Sequence, residues 1–331
     1  MANALPTLIP VLLLVLAAEF VNGWTDSPNA IATVVSTRVL APRNAVTMAA
    51  TLNIVGAVVT GTAVATTMGK GIVNPEIISL PVVAAAMLAI VIWSTVAWRY
   101  GIPTSESHAL VASLSGAGLA VGGPSVLLWE GWRKVLIGLG FSTLLGFSIS
   151  MVIMTALYWS LRRTSLSSIR SIFSRLQILS AAFMAFSHGS NDGQKFMGAF
   201  ALALVLGGAM TQFYVPVWVM LLCGGVMGLG TAFGGWRIIR TIGFKITKLE
   251  PVHGFAAETS GGLAILLASF LGIPLSTTHT ISTAIMGVGA TRRFSAVRWG
   301  VTRNIALAWI LTFPICGVLG WLIASFLKIA F

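Results

Sequence analysis

Asp26 and Asp192 each stand in a long apolar run. A carboxylate placed inside a membrane costs at least about 2.5–3.5 kcal/mol, so a purely structural role is a poor account of either. Their surroundings echo one another. Phe20 to Ala30 reads FVNGWTDSPNA and Phe186 to Phe196 reads FSHGSNDGQKF, and an offset of 166 aligns Phe20 with Phe186, Gly23 with Gly189 and Asp26 with Asp192. Carboxylates in such a pair can hold a coupling cation or proton. Asn29, Asn191 and Gln194 beside them offer neutral oxygens or amide donors. A second duplicated stretch carries hydroxyls: GIPTSESHALVASLSGAG from Gly101 matches GIPLSTTHTISTAIMGVG from Gly272 at an offset of 171. Ser105, Ser107, Ser276, Thr277 and Thr278 follow Pro103 or Pro274 at the start of a helical segment. Free backbone N–H groups, hydroxyls and the positive helix end can there donate to an oxyanion. The bland alternatives are that such hydroxyls back-bond to the preceding turn, that the aspartates cap helices, and that His108 and His279 brace the motif. Glu258, in FAAETSGG, and Glu19 are further intramembrane carboxylates, each read as a cation or proton site or as a packing residue; His188 is open between bracing and proton transfer.

The elements that must position these groups are membrane helices. Of 331 residues, 56% are hydrophobic and 8% charged, and the mean hydropathy is +0.94; soluble domains carry about 25% charged residues. The chain reads as an all-α polytopic membrane protein. Its net charge of +12 comes from residues scattered between helices, which argues against nucleic acid as a partner. Cys223 and Cys316 lie in apolar segments and make an unlikely disulfide pair on that ground. Apolar runs give ten segments, near 5–37, 44–67, 79–98, 103–121, 134–160, 176–206, 215–236, 251–271, 273–290 and 304–327. The first and sixth exceed the roughly 20 residues a span needs. They are expected to break into half-helices, with Gly23 a C-cap, Asp26 an N-cap and Pro28 in the first turn of a new helix, and with Gly189 then Asn191 or Asp192 playing those parts in the second copy. Broken helices at matching places mark a binding site in transporters.

Ten crossings with both termini outside leave only Lys70, Arg133, Lys134 and Lys328 on the outer side and Lys195 inside a segment. Every other Lys and Arg then faces the cytoplasm, as the positive-inside rule expects. Five crossings per half make the halves opposite in orientation: residues 1–160, a basic serine-rich connector at 161–175 expected to be flexible, and residues 176–331. Gly56, Gly61, Thr62 and Ala63 extend the repeat to Gly225, Gly230, Thr231 and Ala232 at an offset of 169.

With four motifs in register, the chain resembles the inorganic phosphate transporter (PiT) family over nearly its whole length, in the form of the bacterial low-affinity phosphate carriers. Each half of that family carries a G-A-N-D-V-A-N-A-like signature and then a P-x-S-T-T-H-like one. The resemblance implies an inverted-repeat bundle with a central anion site, symport with protons or sodium, and location in the plasma membrane. Taken together with the reading of the residues themselves, it makes Ser105, Ser107, Ser276, Thr277, Thr278, Asn191, Gln194 and Lys195 the expected phosphate ligands, and Asp26, Asn29, Asp192, Glu106 and Glu258 the expected coupling residues. Sodium is expected at Asp26, Asn29 and Asp192 if sodium is the coupling ion. Three departures stand out: Thr25 replaces the family's first Asn, Lys195 stands where the family often has Asn, and Glu106 replaces a hydroxyl residue. The ammonium of Lys195 favours protons over sodium. No other cofactor is expected, the lipid bilayer is the surrounding partner, and a homodimer is left open. The rival readings are a carrier of sulfate or another tetrahedral oxyanion, a pure channel, and an intramembrane aspartyl hydrolase using Asp26 and Asp192 as a dyad. No Walker motif is present.

Overall fold

A computed structural model describes residues 5–330. Twelve α-helices account for nearly all of them: α1 (Leu5–Ser36), α2 (Pro42–Val59), α3 (Ala63–Lys70), α4 (Leu80–Arg99), α5 (Glu106–Gly122), α6 (Trp129–Ser160), α7 (Leu166–Leu206), α8 (Val217–Phe233), α9 (Trp236–Arg240), α10 (Pro251–Phe270), α11 (Thr277–Arg292) and α12 (Trp299–Ala330). Among the described residues the one β feature is an isolated bridge between Val73 and Leu127. Six helices are long and apolar enough to cross a membrane, or up to eight if each of two bent pairs is one span. Each of the ten expected apolar segments contains a helix.

The breaks lie elsewhere than the sequence led us to expect. Helices α1 and α7 run unbroken through Gly23–Pro28 and Gly189–Asp192. The bent helices are instead α2 with α3, at 78°, and α8 with the stretch Trp236–Lys245, at 60°. Gly61 (φ +87°) and Gly234 (φ +69°) adopt at these bends a backbone that a side chain would strain. Gly23 and Gly189 serve close packing, not capping. A side chain at Gly23 would collide with the Met227 backbone, and one at Gly189 with the Asn53 backbone. Pro28 deprives the Trp24 carbonyl of its helical donor, and the Ser27 hydroxyl donates to that carbonyl at 3.2 Å in its place. Tertiary packing has overridden local cap propensity here. The connector also differs from expectation. Residues 166–175 begin α7, whose N-cap Ser165 accepts from the Ser168 N–H, and only a turn at 161–165 separates α6 from α7.

Two apolar clusters sandwich a polar layer. Leu8 to Ala18 of α1 join Phe196 to Leu204 of α7 in one cluster. Ala30 to Val34 of α1 join Phe173 to Ala185 of α7 in the other. The two long helices therefore run in opposite directions, and the middle of each lies between the clusters. The outward surface is apolar, with Leu144, Val152, Leu229 and Ile310 exposed, while Asp26, Asp192, Glu106 and Lys195 are buried. That inversion suits a chain whose solvent is lipid.

Contacts between the halves are reciprocal. The Thr67 hydroxyl of α3 donates to the Gly272 carbonyl at 2.8 Å, and the Thr241 hydroxyl donates to the Gly101 carbonyl at 2.8 Å. Gly56 packs on the Phe186 backbone and Gly230 on the Phe20 backbone. These pairs relate the bent helices by 174 positions, not the 169 read from sequence identities.

Candidate functional site

The middle turns of α1 and α7 meet the N-termini of α5 and α11 in the polar layer. Ligand atoms of Asp26, His188 and Asp192 all lie within 4.8 Å of one another, and all three residues are buried. The Asn29 amide donates to the Thr277 hydroxyl at 3.2 Å and to the Thr278 hydroxyl at 2.9 Å. Each threonine passes the contact on: Thr277 donates to Asp192 Oδ2 at 3.0 Å and Thr278 to Asp26 Oδ1 at 3.3 Å. One amide thus orders two hydroxyls, and each hydroxyl holds one aspartate.

The aspartates are not equally supported. Lys195, one turn along α7, places Nζ on Asp192 Oδ1, and His188 Nε2 lies 3.3 Å from Oδ2. His188 Nδ1 pairs with Asn53 Oδ1 at 3.2 Å, and the Asn53 amide donates to Thr231. Beside Asp26, Thr25 lies between the Val21 carbonyl at 2.8 Å and Glu106 Oε1 at 3.1 Å. Ser94 donates to the other Glu106 oxygen at 2.8 Å.

The hydroxyl motifs form both helix starts. Ser105 Oγ accepts the His108 N–H at 3.4 Å and Ser276 Oγ accepts the His279 N–H at 3.2 Å. Each serine is an N-cap that keeps its own O–H free to donate. The N–H groups of Glu106, Ser107, Thr277 and Thr278 lie in first turns, where no helical acceptor precedes them. Ser107 donates to the Leu275 carbonyl at 2.9 Å, so its O–H joins α5 to the turn before α11. His108 and His279 stack edge to face at 4.6 Å between Phe313 and Trp309, a packed arrangement that braces the two helix ends.

Three expected site residues face other partners. Asn191 accepts the Leu275 N–H at 3.2 Å and donates to Ser269 and to the Ile273 carbonyl. It clamps the turn before α11. Gln194 accepts from the Val64 N–H at 3.0 Å and the Ala65 N–H at 3.4 Å, and donates to the Ser190 carbonyl and Thr60. It caps α3 from outside and satisfies the bend, as Ser27 does at the other bend by accepting the Gly235 N–H at 2.7 Å. Glu258 sits in its own cluster. Thr33 donates to it at 2.5 Å, Gln177 at 3.1 Å, and Ser180 closes on its second oxygen. Thr33 is one turn beyond Asn29 on α1, so this cluster neighbours the aspartates along the helix without touching them.

Thr33, Asn53, Ser94, Gln177 and Ser180 did not emerge from the sequence as partners of these carboxylates. The signal for Asn53 and Gln177 was a lone amide in an apolar run; the three hydroxyl residues had none.

Chemically, the arrangement joins two acidic side chains, a buried ammonium and two helix starts rich in hydroxyl and N–H donors. A tetrahedral oxyanion together with protons or a cation matches such a set. A hydrolytic dyad needs two carboxylates sharing one proton, whereas ligand atoms of Asp26 and Asp192 lie only within 4.8 Å and Asp192 is engaged by Lys195 and His188.

Comparison with known proteins gives a consistent answer. The model of the phosphate transporter family matches residues 22–169 and 161–320. A probable low-affinity inorganic phosphate transporter of Rhizobium meliloti (strain 1021) is 45% identical over 312 residues, covering 94% of this chain and 93% of that protein. One of Bacillus subtilis (strain 168) is 40% identical over 315 residues, covering 94% of each. A solved structure described as the sodium-dependent phosphate transporter superposes with a TM-score of 0.90 at 26% identity, covering 98% of this chain and all of that one. These relatives are transporters, not enzymes. The chain is a multi-pass membrane protein and belongs to the phosphate transporter family.

Proposed function

We propose that the chain is a secondary transporter that moves inorganic phosphate across the plasma membrane together with protons. The observation that carries this reading is the junction at which Asn29, Thr277 and Thr278 tie Asp26 to Asp192 beside the N-termini of α5 and α11. Phosphate binds the free O–H groups of Ser105 and Ser276 and the first-turn N–H groups, with Lys195 as the fixed positive charge. Ser107, Thr277 and Thr278, whose O–H groups are held by the Leu275 carbonyl and the two aspartates, join it only when those bonds are exchanged. Asn191 and Gln194 position this set and do not touch substrate. Protons on Asp26 and Glu106 offset the anion's charge, and Glu258 is a second protonatable station. Lys195 takes the place of a sodium ion at Asp192. The solved relative is described as sodium-dependent, so coupling is the point on which this chain is expected to differ.

The proposed mechanism is alternating access. Residues 1–160 and 176–331 form two halves of opposite orientation, each with five crossings, and both termini lie outside. Support comes from the antiparallel course of α1 and α7 and from the crossed bonds of Thr67 and Thr241. Opening to either side exchanges these bonds.

The test is labelled phosphate uptake into proteoliposomes with a pH or a sodium gradient imposed one at a time, and with sulfate as competitor. Uptake driven by the pH gradient and resistant to excess sulfate is expected. Uptake that follows sodium and ignores pH rejects the proton assignment; efficient competition by sulfate rejects phosphate as the selective substrate.

A further inference from the structure

Six cations from separate parts of the chain surround one cavity of about 1020 Å³. They are Arg38 after α1, Arg162 in the α6–α7 turn, Arg170 in the first turns of α7, Lys248 before α10, Arg292 at the end of α11 and Arg298 just before α12. A smaller cavity of about 370 Å³ shares Lys248, Arg292 and Arg298 and adds Arg293. Glu250 is the one carboxylate among the lining residues, and its side chain caps α10. Among the described residues no ion pair joins any of the six to an acid. An excess of basic residues in loops accounts for orientation alone. It does not require that they converge on a concave space, nor that the space have an apolar wall.

That wall is formed by Met154, Leu161, Ile169 and Phe244. At its edge the Arg162 guanidinium lies 5.0 Å over the ring of the exposed Trp159, an aromatic placement typical of a membrane interface. The cavity also carries an oriented donor. His253 Nδ1 accepts the Glu250 N–H at 3.1 Å, which leaves Nε2 to donate to the Tyr158 hydroxyl at 2.9 Å. The phenol proton is then free to donate to a further acceptor.

We propose that this cavity binds an anionic phospholipid. Its headgroup phosphate meets the six cations and the Tyr158 hydroxyl, and its acyl chains lie along the apolar wall. A free phosphate ion would satisfy the cations and leave that wall uncovered, whereas a lipid covers both. The occupant bridges the turn that joins the halves to α1 and α11. This site is separate from the aspartate junction and does not rest on the proposed transport reaction.

The experiment is thermal unfolding of the purified full chain in mixed micelles, titrated with phosphatidylglycerol, phosphatidylcholine or inorganic phosphate. Two triple variants accompany it, Arg162→Gln/Arg170→Gln/Arg298→Gln and Arg162→Lys/Arg170→Lys/Arg298→Lys. Phosphatidylglycerol should stabilise the wild type at concentrations at least about tenfold below those of phosphatidylcholine, since each basic contact favours the anionic headgroup. The glutamine variant should lose that preference and the lysine variant keep it. Equal action of the two lipids, or a preference that survives in the glutamine variant or disappears from the lysine variant, overturns the proposal. Inorganic phosphate that reproduces the effect at the same concentrations also overturns it, in favour of a water-soluble anion.

Discussion

Asp26 and Asp192 hold matching positions on α1 and α7, yet their settings differ. Asp192 shares its oxygens among a lysine, a histidine and Thr277. Asp26 receives Thr278, and its neighbour Thr25 turns to a second acid, Glu106. A repeated site therefore has one member with a resident counter-charge and one without. The first is fixed, because removing either partner strands the other in a buried setting. The proposed coupling assigns the exchangeable proton to the second.

The sharpest way to break this comparison is to neutralise each aspartate in turn. Asp192→Asn should leave the Lys195 ammonium buried without its partner, which costs about 3–5 kcal/mol. The expected outcome is a sharp fall in folded yield and in Tm, with loss of uptake. Asp26→Asn should abolish uptake while keeping folded yield and Tm near those of the wild type. Equal destabilisation by both variants, in the same micelle, would dissolve the distinction.

Lys195→Asn tests the counter-charge directly. Phosphate uptake driven by a pH gradient should disappear, and sodium should begin to stimulate whatever uptake remains. The check is the pair of imposed gradients in vesicles, at matched protein content. A variant that still responds to pH as the wild type does removes Lys195 from coupling.

Smaller effects are expected at the helix starts. Ser105→Ala and Ser276→Ala should each lower stability by about 1 kcal/mol through the lost cap and weaken phosphate binding on the order of tenfold through the lost donor. Calorimetric titration with phosphate separates the two, since a pure capping role leaves the isotherm unchanged.

The smallest predicted change belongs to the crossed threonines. Thr67→Val and Thr241→Val each remove one hydroxyl bond worth about 1 kcal/mol. The two variants should alter uptake to a similar degree, because each bond serves a corresponding bend. A large effect of one and none of the other would show that the bends have different tasks.

Composition and the duplicated motifs made the helical membrane architecture legible before any coordinates, and they singled out residues that the fold brings into contact. Asp26, Asp192, Thr277 and Thr278 do converge. The location of the breaks was not legible, for a definable reason. In GWTDSP every local signal favours a helix end, and what defeats it is the approach of the Met227 backbone to Gly23. Close approach between helices depends on the partner, and a single stretch of chain does not contain that information. Gly61 and Gly234 lie among residues with weaker local signals, so the true bends were passed over. Asn191 and Gln194 show a related gap. Their amides suit a ligand or a brace equally well, and their contacts with the Leu275 and Val64 N–H groups across the interface were not legible in the sequence. The identities of Gly56, Gly61, Thr62 and Ala63 at an offset of 169 do not match the packed pairs, which relate the bends at 174.

The crossed bond of Thr67 has a consequence for biogenesis. Its acceptor, Gly272, lies 205 positions further along the chain. A ribosome adds about 5–20 residues per second, so roughly 10–40 seconds separate the insertion of α3 from the arrival of its partner. Thr241, by contrast, meets an acceptor already made. Through that interval the Thr67 hydroxyl has the Ala63 carbonyl of its own helix, at 3.3 Å, as its acceptor. A nascent chain stalled before Gly272 therefore carries its first bend without this bond to the second half.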